Sequence, residues 1–133
     1  MTLNYTDTFI ASSEDGPATA AEPQRGKRSI AEIQYEMLVE QPYQFTQEDI
    51  LFASSAGVRE HPEIRNDPDL RRAFFSRSQA CLRTSPLVKK WGFGIHFDAQ
   101  GKAAAFRKES PEYEQWAADP SLYQTKGMRS KRA

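Results

Sequence analysis

Residues 86–108, PLVKKWGFGIHFDAQGKAAAFRK, change their hydrophobic period at Gly92, and that change restricts the fold more than any other feature of the chain. Ser85-Pro86 is a helix start, with serine as the cap and proline at the first helical position. Leu87 to Trp91 supplies about one and a half turns, with Lys89 and Lys90 complementing the dipole at its end, and Gly92 stops it. From Phe93 the period is two. Phe93, Ile95 and Phe97 face one way, and Gly94, His96 and Asp98 face the other. Asp98-Ala-Gln-Gly101-Lys102 predicts a hairpin turn with Gly101 in the left-handed region. The register then sets Asp98 opposite Lys102, His96 opposite Ala104 and Gly94 opposite Phe106. His96 is left among small side chains on its own face, so a helix or a ligand must pack closely there.

The remaining elements read more coarsely. Residues 5–11, YTDTFIA, form a short strand that joins the hairpin. Residues 12–28 mix two prolines and two glycines with charged and small side chains, which predicts an irregular arm or a loop closing over something. Ser29-Ile-Ala-Glu32 is a capping box, and Ile30, Ile33, Met37 and Leu38 follow at helical spacing up to about Glu40. Tyr35 is placed on the rim of that helix. Thr46 caps a helical turn over 47–52, residues 53–66 read mostly as loop, and Asp67-Pro68 starts a helix bearing Leu70, Ala73 and Phe74. Ser110-Pro111 starts one more, with Tyr113 and Trp116 on its apolar edge. The sum is an α+β fold: a small antiparallel sheet built on a hairpin in the C-terminal half, covered by several short helices. The chain of 133 residues is the size of one domain.

Eighteen basic and eighteen acidic residues leave no net charge. This argues against a nucleic-acid binder, which carries a visible positive excess. The balance hides an asymmetry. Residues 1–24 carry acids and no base, residues 126–133 carry bases and no acid, and both blocks are expected to be solvated ends. No apolar run approaches the roughly 18 residues that span a bilayer. The N-terminus lacks the order of a secretory signal. One cysteine excludes an intrachain disulfide, and two distant histidines leave no metal cluster of ordinary spacing. A soluble, cytoplasmic protein is expected, with no metal and no cofactor, as a monomer or homodimer.

Three groups carry chemistry. Cys81 has Arg77 and Arg83 nearby in sequence, and cations lower a thiol's pKa. His96 and Asp98 alternate on one strand face. Arg83 and Ser85 flank a helix start whose free amides suit a phosphate or carboxylate. The leading expectation is a polar cleft lined by Arg83, Ser85, His96 and Asp98, binding a small anion or acidic group. An enzyme reading makes Cys81 the nucleophile, His96 its base, Asp98 the orienting carboxylate and Arg83 the charge stabiliser. A third reading is a protein-interaction module acting through residues 12–28 or the basic tail.

The ordered set NYTDTFI, TAAE, IAEIQYEML, PYQFTQEDILF, FFSRSQACLRTSPLVKKWGFGIHFDAQGKAAAF, ESPEY and KGMRSKR resembles domain of unknown function 6157, a small, mainly bacterial family. The resemblance covers nearly the whole chain and is most specific at CLR-SPL and the glycine, histidine and aspartate that follow. It implies no activity, cofactor or partner. The family pattern often carries a cysteine where this chain has Gly16 and a proline where it has Ala80. The lack of a second cysteine weakens any two-cysteine redox or metal reading.

Overall fold

The structure, a computed structural model, describes residues 4–129. Five strands form one sheet in the order β2-β4-β3-β1-β5. They are β1 (Thr8–Ala11), β2 (Phe45–Thr46), β3 (Phe93–Phe97), β4 (Lys102–Arg107) and β5 (Tyr123–Lys126). Six short α-helices accompany them: α1 (Ile30–Tyr35), α2 (Gln47–Ala53), α3 (Ala56–Glu60), α4 (Pro68–Phe75), α5 (Pro86–Lys89) and α6 (Pro111–Ala117). The fold is α+β.

The hairpin has the predicted register, with His96 paired to Ala104 and Gly94 to Phe106. Its turn closes as the residue types require. Asp98 Oδ1 accepts the amides of Gln100 and Lys102, both at 2.9 Å, and Gly101 sits at φ +80°. β1 joins β3 antiparallel. The sheet is nonetheless mixed, because β5 runs parallel to β1. β5 reads YQTK and is mostly exposed, so it offers no alternation to a sequence reading. Backbone pairing alone makes it a strand.

Three further expectations change. Residues 53–66 are not mainly loop but hold α3 and a 3₁₀ turn over Pro62–Asn66. Ser29 caps α1 as predicted, accepting the Glu32 amide at 3.1 Å, but the Glu32 carboxylate does not reach back to Ser29. It accepts the amides of Gly26 (2.7 Å) and Arg28 (2.6 Å), closing the turn that precedes the cap. These amides hold the Glu32 carboxyl below its usual range. Tyr35 is buried, with its hydroxyl donating to the Glu22 carboxylate at 2.7 Å.

Residues 12–28 are held against the body by bonds that no local pattern announces. Ser13 N donates to Val88 O at 3.0 Å and Ala21 N to Trp91 O at 3.1 Å. Ala20 N meets the Glu109 carboxylate at 3.0 Å, and Arg107 donates to Ala20 O at 2.8 Å. Ser12, Ser13 and Ala20 are buried. The acidic and basic ends also meet, because parallel β1 and β5 bring Glu14 beside Lys126 as an ion pair. The rest of the basic tail, residues 130–133, lies outside the described residues.

The sheet has two differently covered faces. Ile10, Phe93, Ile95, Phe97, Ala103 and Ala105 join the main core with Leu38, Ile50, Leu82 and Leu87 from the helices. The opposite face carries Phe9, Gly94, His96, Ala104 and Phe106, in register across β1, β3 and β4. That second face is covered by α6. Phe9 meets Tyr113 edge-on at 5.0 Å, and Trp116 lies over His96.

Candidate functional site

The sheet parts the residues that the sequence analysis grouped. His96 is 6% exposed and lies beneath α6, its ring flat against the Trp116 indole at 3.8 Å between centroids and 1° between planes. The Tyr43 hydroxyl and His96 Nδ1 share a hydrogen bond of 2.8 Å. The close packing expected beside His96 is therefore helix packing. Burial pushes the imidazole pKa down, against the opposing pull of Asp98, Asp119 and Asp7. Burial, with Asp98 adding to it, pushes the Tyr43 phenol up to about 12. Tyr43 also stands at φ +60°, a region that non-glycine residues rarely occupy, and its backbone N–H donates a hydrogen bond to Ala103 O at 2.9 Å.

Cys81 approaches the sheet from the Phe97 side. Its sulfur accepts the Tyr5 hydroxyl at 3.4 Å, and the Tyr5 ring packs edge-on against Phe97. Phe97 and His96 are consecutive on β3 and point to opposite faces, so no hydrogen bond joins Cys81 to His96. Burial, then the bond to Cys81, raises the Tyr5 phenol to about 12. Arg83 serves the sheet edge. Its Nε donates to Lys126 O at 2.7 Å and its carbonyl accepts the Met128 amide at 2.8 Å. Asp98 is occupied by the hairpin turn. Ser85 lines a cavity, and its companions there were not anticipated.

That cavity, of about 410 Å³, is an open hollow lined by α1, the α2–α3 junction, α4 and the segment leading into α5. Ser85 Oγ caps α5 by accepting the Leu87 amide at 3.2 Å and donates to Gln34 Oε1 at 2.5 Å. Gln34 Nε2 donates to Ser54 Oγ at 3.1 Å, which donates to Ile50 O at 2.7 Å. Every hydrogen in this buried relay runs from α5 through α1 to α2, so the polar floor is internally satisfied. Arg59, on α3, is different. Its Nε donates to Ser54 O at 3.1 Å, and its terminal nitrogens make no hydrogen bond or ion pair among the described residues. Ile30, Leu51, Phe74, Leu82 and Pro86 supply apolar wall. A half-buried guanidinium over a satisfied polar floor is suited to receive a carboxylate or phosphate oxygen pair.

The sequence analysis read residues 53–66 mostly as loop and so gave Arg59 no role. The available signal was Ser55 preceding a five-residue helix with its base in the last turn. Trp116 is legible as part of an apolar helix edge, but that it covers His96, and that Tyr43 bonds His96, depends on which face of the sheet each reaches.

Among the described residues, no group of three or more His, Cys, Asp or Glu side chains is placed to hold a metal ion, and no helix is long and apolar enough to cross a membrane. The architecture and cavity define an α+β domain with a mixed five-stranded sheet and a lateral, arginine-bearing hollow. The chain belongs to the family described as a family of unknown function, DUF6157, which it matches over residues 1–133. No curated protein and no solved structure matches it.

Proposed function

We propose that this domain binds a small molecule through an anionic group held by Arg59, in the cavity floored by Ser85, Gln34 and Ser54. One observation carries the reading: Arg59 is the single charged side chain lining that cavity, and its terminal nitrogens have no protein anion among the described residues. Guanidinium lowers the cost of desolvation because it is weakly hydrated, and it presents parallel donors that match a carboxylate. This keeps the sequence-based idea of a binding domain for a small acid and keeps Ser85 as floor. It moves the charge from Arg83 to Arg59 and leaves His96 out of the site. The lone cysteine suits a reducing compartment, so we place the activity in the cytoplasm.

Titration of the labelled protein with benzoate and with inorganic phosphate, followed by NMR, tests the reading. Amide shifts should cluster at Arg59, Gln34 and Ser85, and Arg59→Gln should weaken binding by about tenfold or more, as loss of a charge-assisted pair does. Shifts centred elsewhere, or an affinity indifferent to Arg59→Gln, would overturn it.

A further inference from the structure

A second, more open cavity of about 600 Å³ adjoins the first. The two share Ser55, Ala56, Phe74 and Gln79 among their lining residues, so they lie side by side as two reaches of this surface. Phe74, which lines both, is tilted against Phe52 of the second at 5.6 Å between centroids. Ile64, Leu70 and Ala73 continue the apolar lining, and Leu70 is left 43% exposed.

The polar side chains of this second reach are turned back on their own backbone. Ser55 Oγ donates to Phe52 O at 2.6 Å, Ser76 Oγ to Ala73 O at 2.6 Å, and Gln79 Nε2 to Phe74 O at 2.8 Å. Each of these groups thereby spends a hydrogen on its own backbone. The wall that remains is chemically aliphatic and aromatic. Across both reaches the only charged lining residues among the described residues are Arg59 and Arg77, and no carboxylate is with them. A groove with cations, no acids and an apolar extension complements an acid carried on an apolar body.

Resting on the reading that Arg59 holds an anion, we infer that the ligand is a carboxylic acid with an extended apolar chain. Its carboxylate sits at Arg59 and its chain runs past Phe74 into the reach lined by Phe52, Ile64, Leu70 and Ala73. Arg77, exposed at the far rim, lays its stem along the chain and keeps its head in water. The chain, rather than the charge, then supplies most of the selectivity.

The test is a calorimetric series with butyrate, hexanoate, octanoate and decanoate below their micellar concentrations. Each added methylene should tighten binding by about two- to fourfold until the groove is filled. NOEs should connect the decanoate chain to the Phe52 and Phe74 rings in the unaltered protein. Ala73→Phe, at an exposed position on α4, should abolish the chain-length dependence. Arg59→Gln should weaken the whole series together. Decanoate binding no tighter than butyrate would overturn the apolar-chain inference and leave the anion site standing, whereas absence of binding by every carboxylate, with phosphate also inert, would remove both. A chain-length dependence that survives Ala73→Phe, or an acidic hexapeptide that binds more tightly than octanoate, would also overturn the inference.

Discussion

β3 divides its five residues between two unlike environments. On one side Phe93, Ile95 and Phe97 meet the helices α1, α2 and α5 in a core filled with large aliphatic side chains. On the other side Gly94 and His96, paired with Phe106 and Ala104, meet the single helix α6 through Tyr113 and Trp116. The first face is made by filling space. The second is made by leaving it, since the rings of Phe9 and Tyr113 come close over a glycine. One face should therefore be most sensitive to deleting atoms, and the other to adding them.

The largest effect is expected on the filled side. Phe97 is fully buried, with Tyr5 edge-on against it at 5.4 Å and the core around it. Phe97→Ala should cost about 3–5 kcal/mol, the usual penalty for an aromatic lost from a close-packed core. Urea unfolding measures it. A loss below 1 kcal/mol would mean that this face is loosely packed and that the contrast between faces is wrong.

The opposite face is tested by Gly94→Ala, which adds one methyl group. A β-carbon there would lie 2.6 Å from the Phe9 ring, 2.6 Å from the Tyr113 ring and 3.0 Å from the Ile10 carbonyl oxygen. The rings could retreat only by displacing α6, and the carbonyl belongs to a paired strand. The expected cost is about 1–3 kcal/mol, as for other overpacked sites. It should be accompanied by loss of protection of the Ser12 amide, which donates to the Tyr113 hydroxyl at 2.9 Å. A neutral substitution would show that α6 rides on the sheet without touching it closely.

This contrast also explains what was legible in the sequence. The hairpin register, the turn at Gly101 and the serine caps at Ser29, Ser85 and Ser110 follow from local chemistry, and each is present. The small residues around His96 correctly required something large to cover them, but a strand pattern does not say whether that is ligand or indole. Arg83 looked available because its partner, the Lys126 carbonyl, lies 43 residues away. Arg59 looked like a loop residue because the α2–α3 junction that orients it is closed by serine-to-backbone bonds, which leave no hydrophobic period. Charge near a helix start is visible in a sequence; whether that charge is already occupied is a property of the fold.

The smallest effect distinguishes the faces by pH. His96 is a titratable group buried on the second face. Tyr43 lies at its Nδ1 and Trp116 over its plane, and the charged side chains acting on it are Asp98, Asp119 and Asp7. Its pKa is lowered in the folded protein, so below the ordinary histidine value of about 6.5 the unfolded chain takes up a proton that the folded imidazole resists. The unfolded state then binds more protons, and stability rises with pH through this window and falls as the solution is acidified. The direction follows from burial outweighing the three aspartates. In His96→Gln the histidine contribution to the pH dependence should vanish, flattening the urea midpoint between pH 5 and pH 7 relative to the parent, whatever the absolute change in stability. Phe97→Leu, made on the other face, should shift the midpoint at every pH equally. If acidification instead stabilised the parent protein through the His96 titration, the aspartates would outweigh burial. The cover formed by α6 would then be an electrostatic contact rather than a packed one.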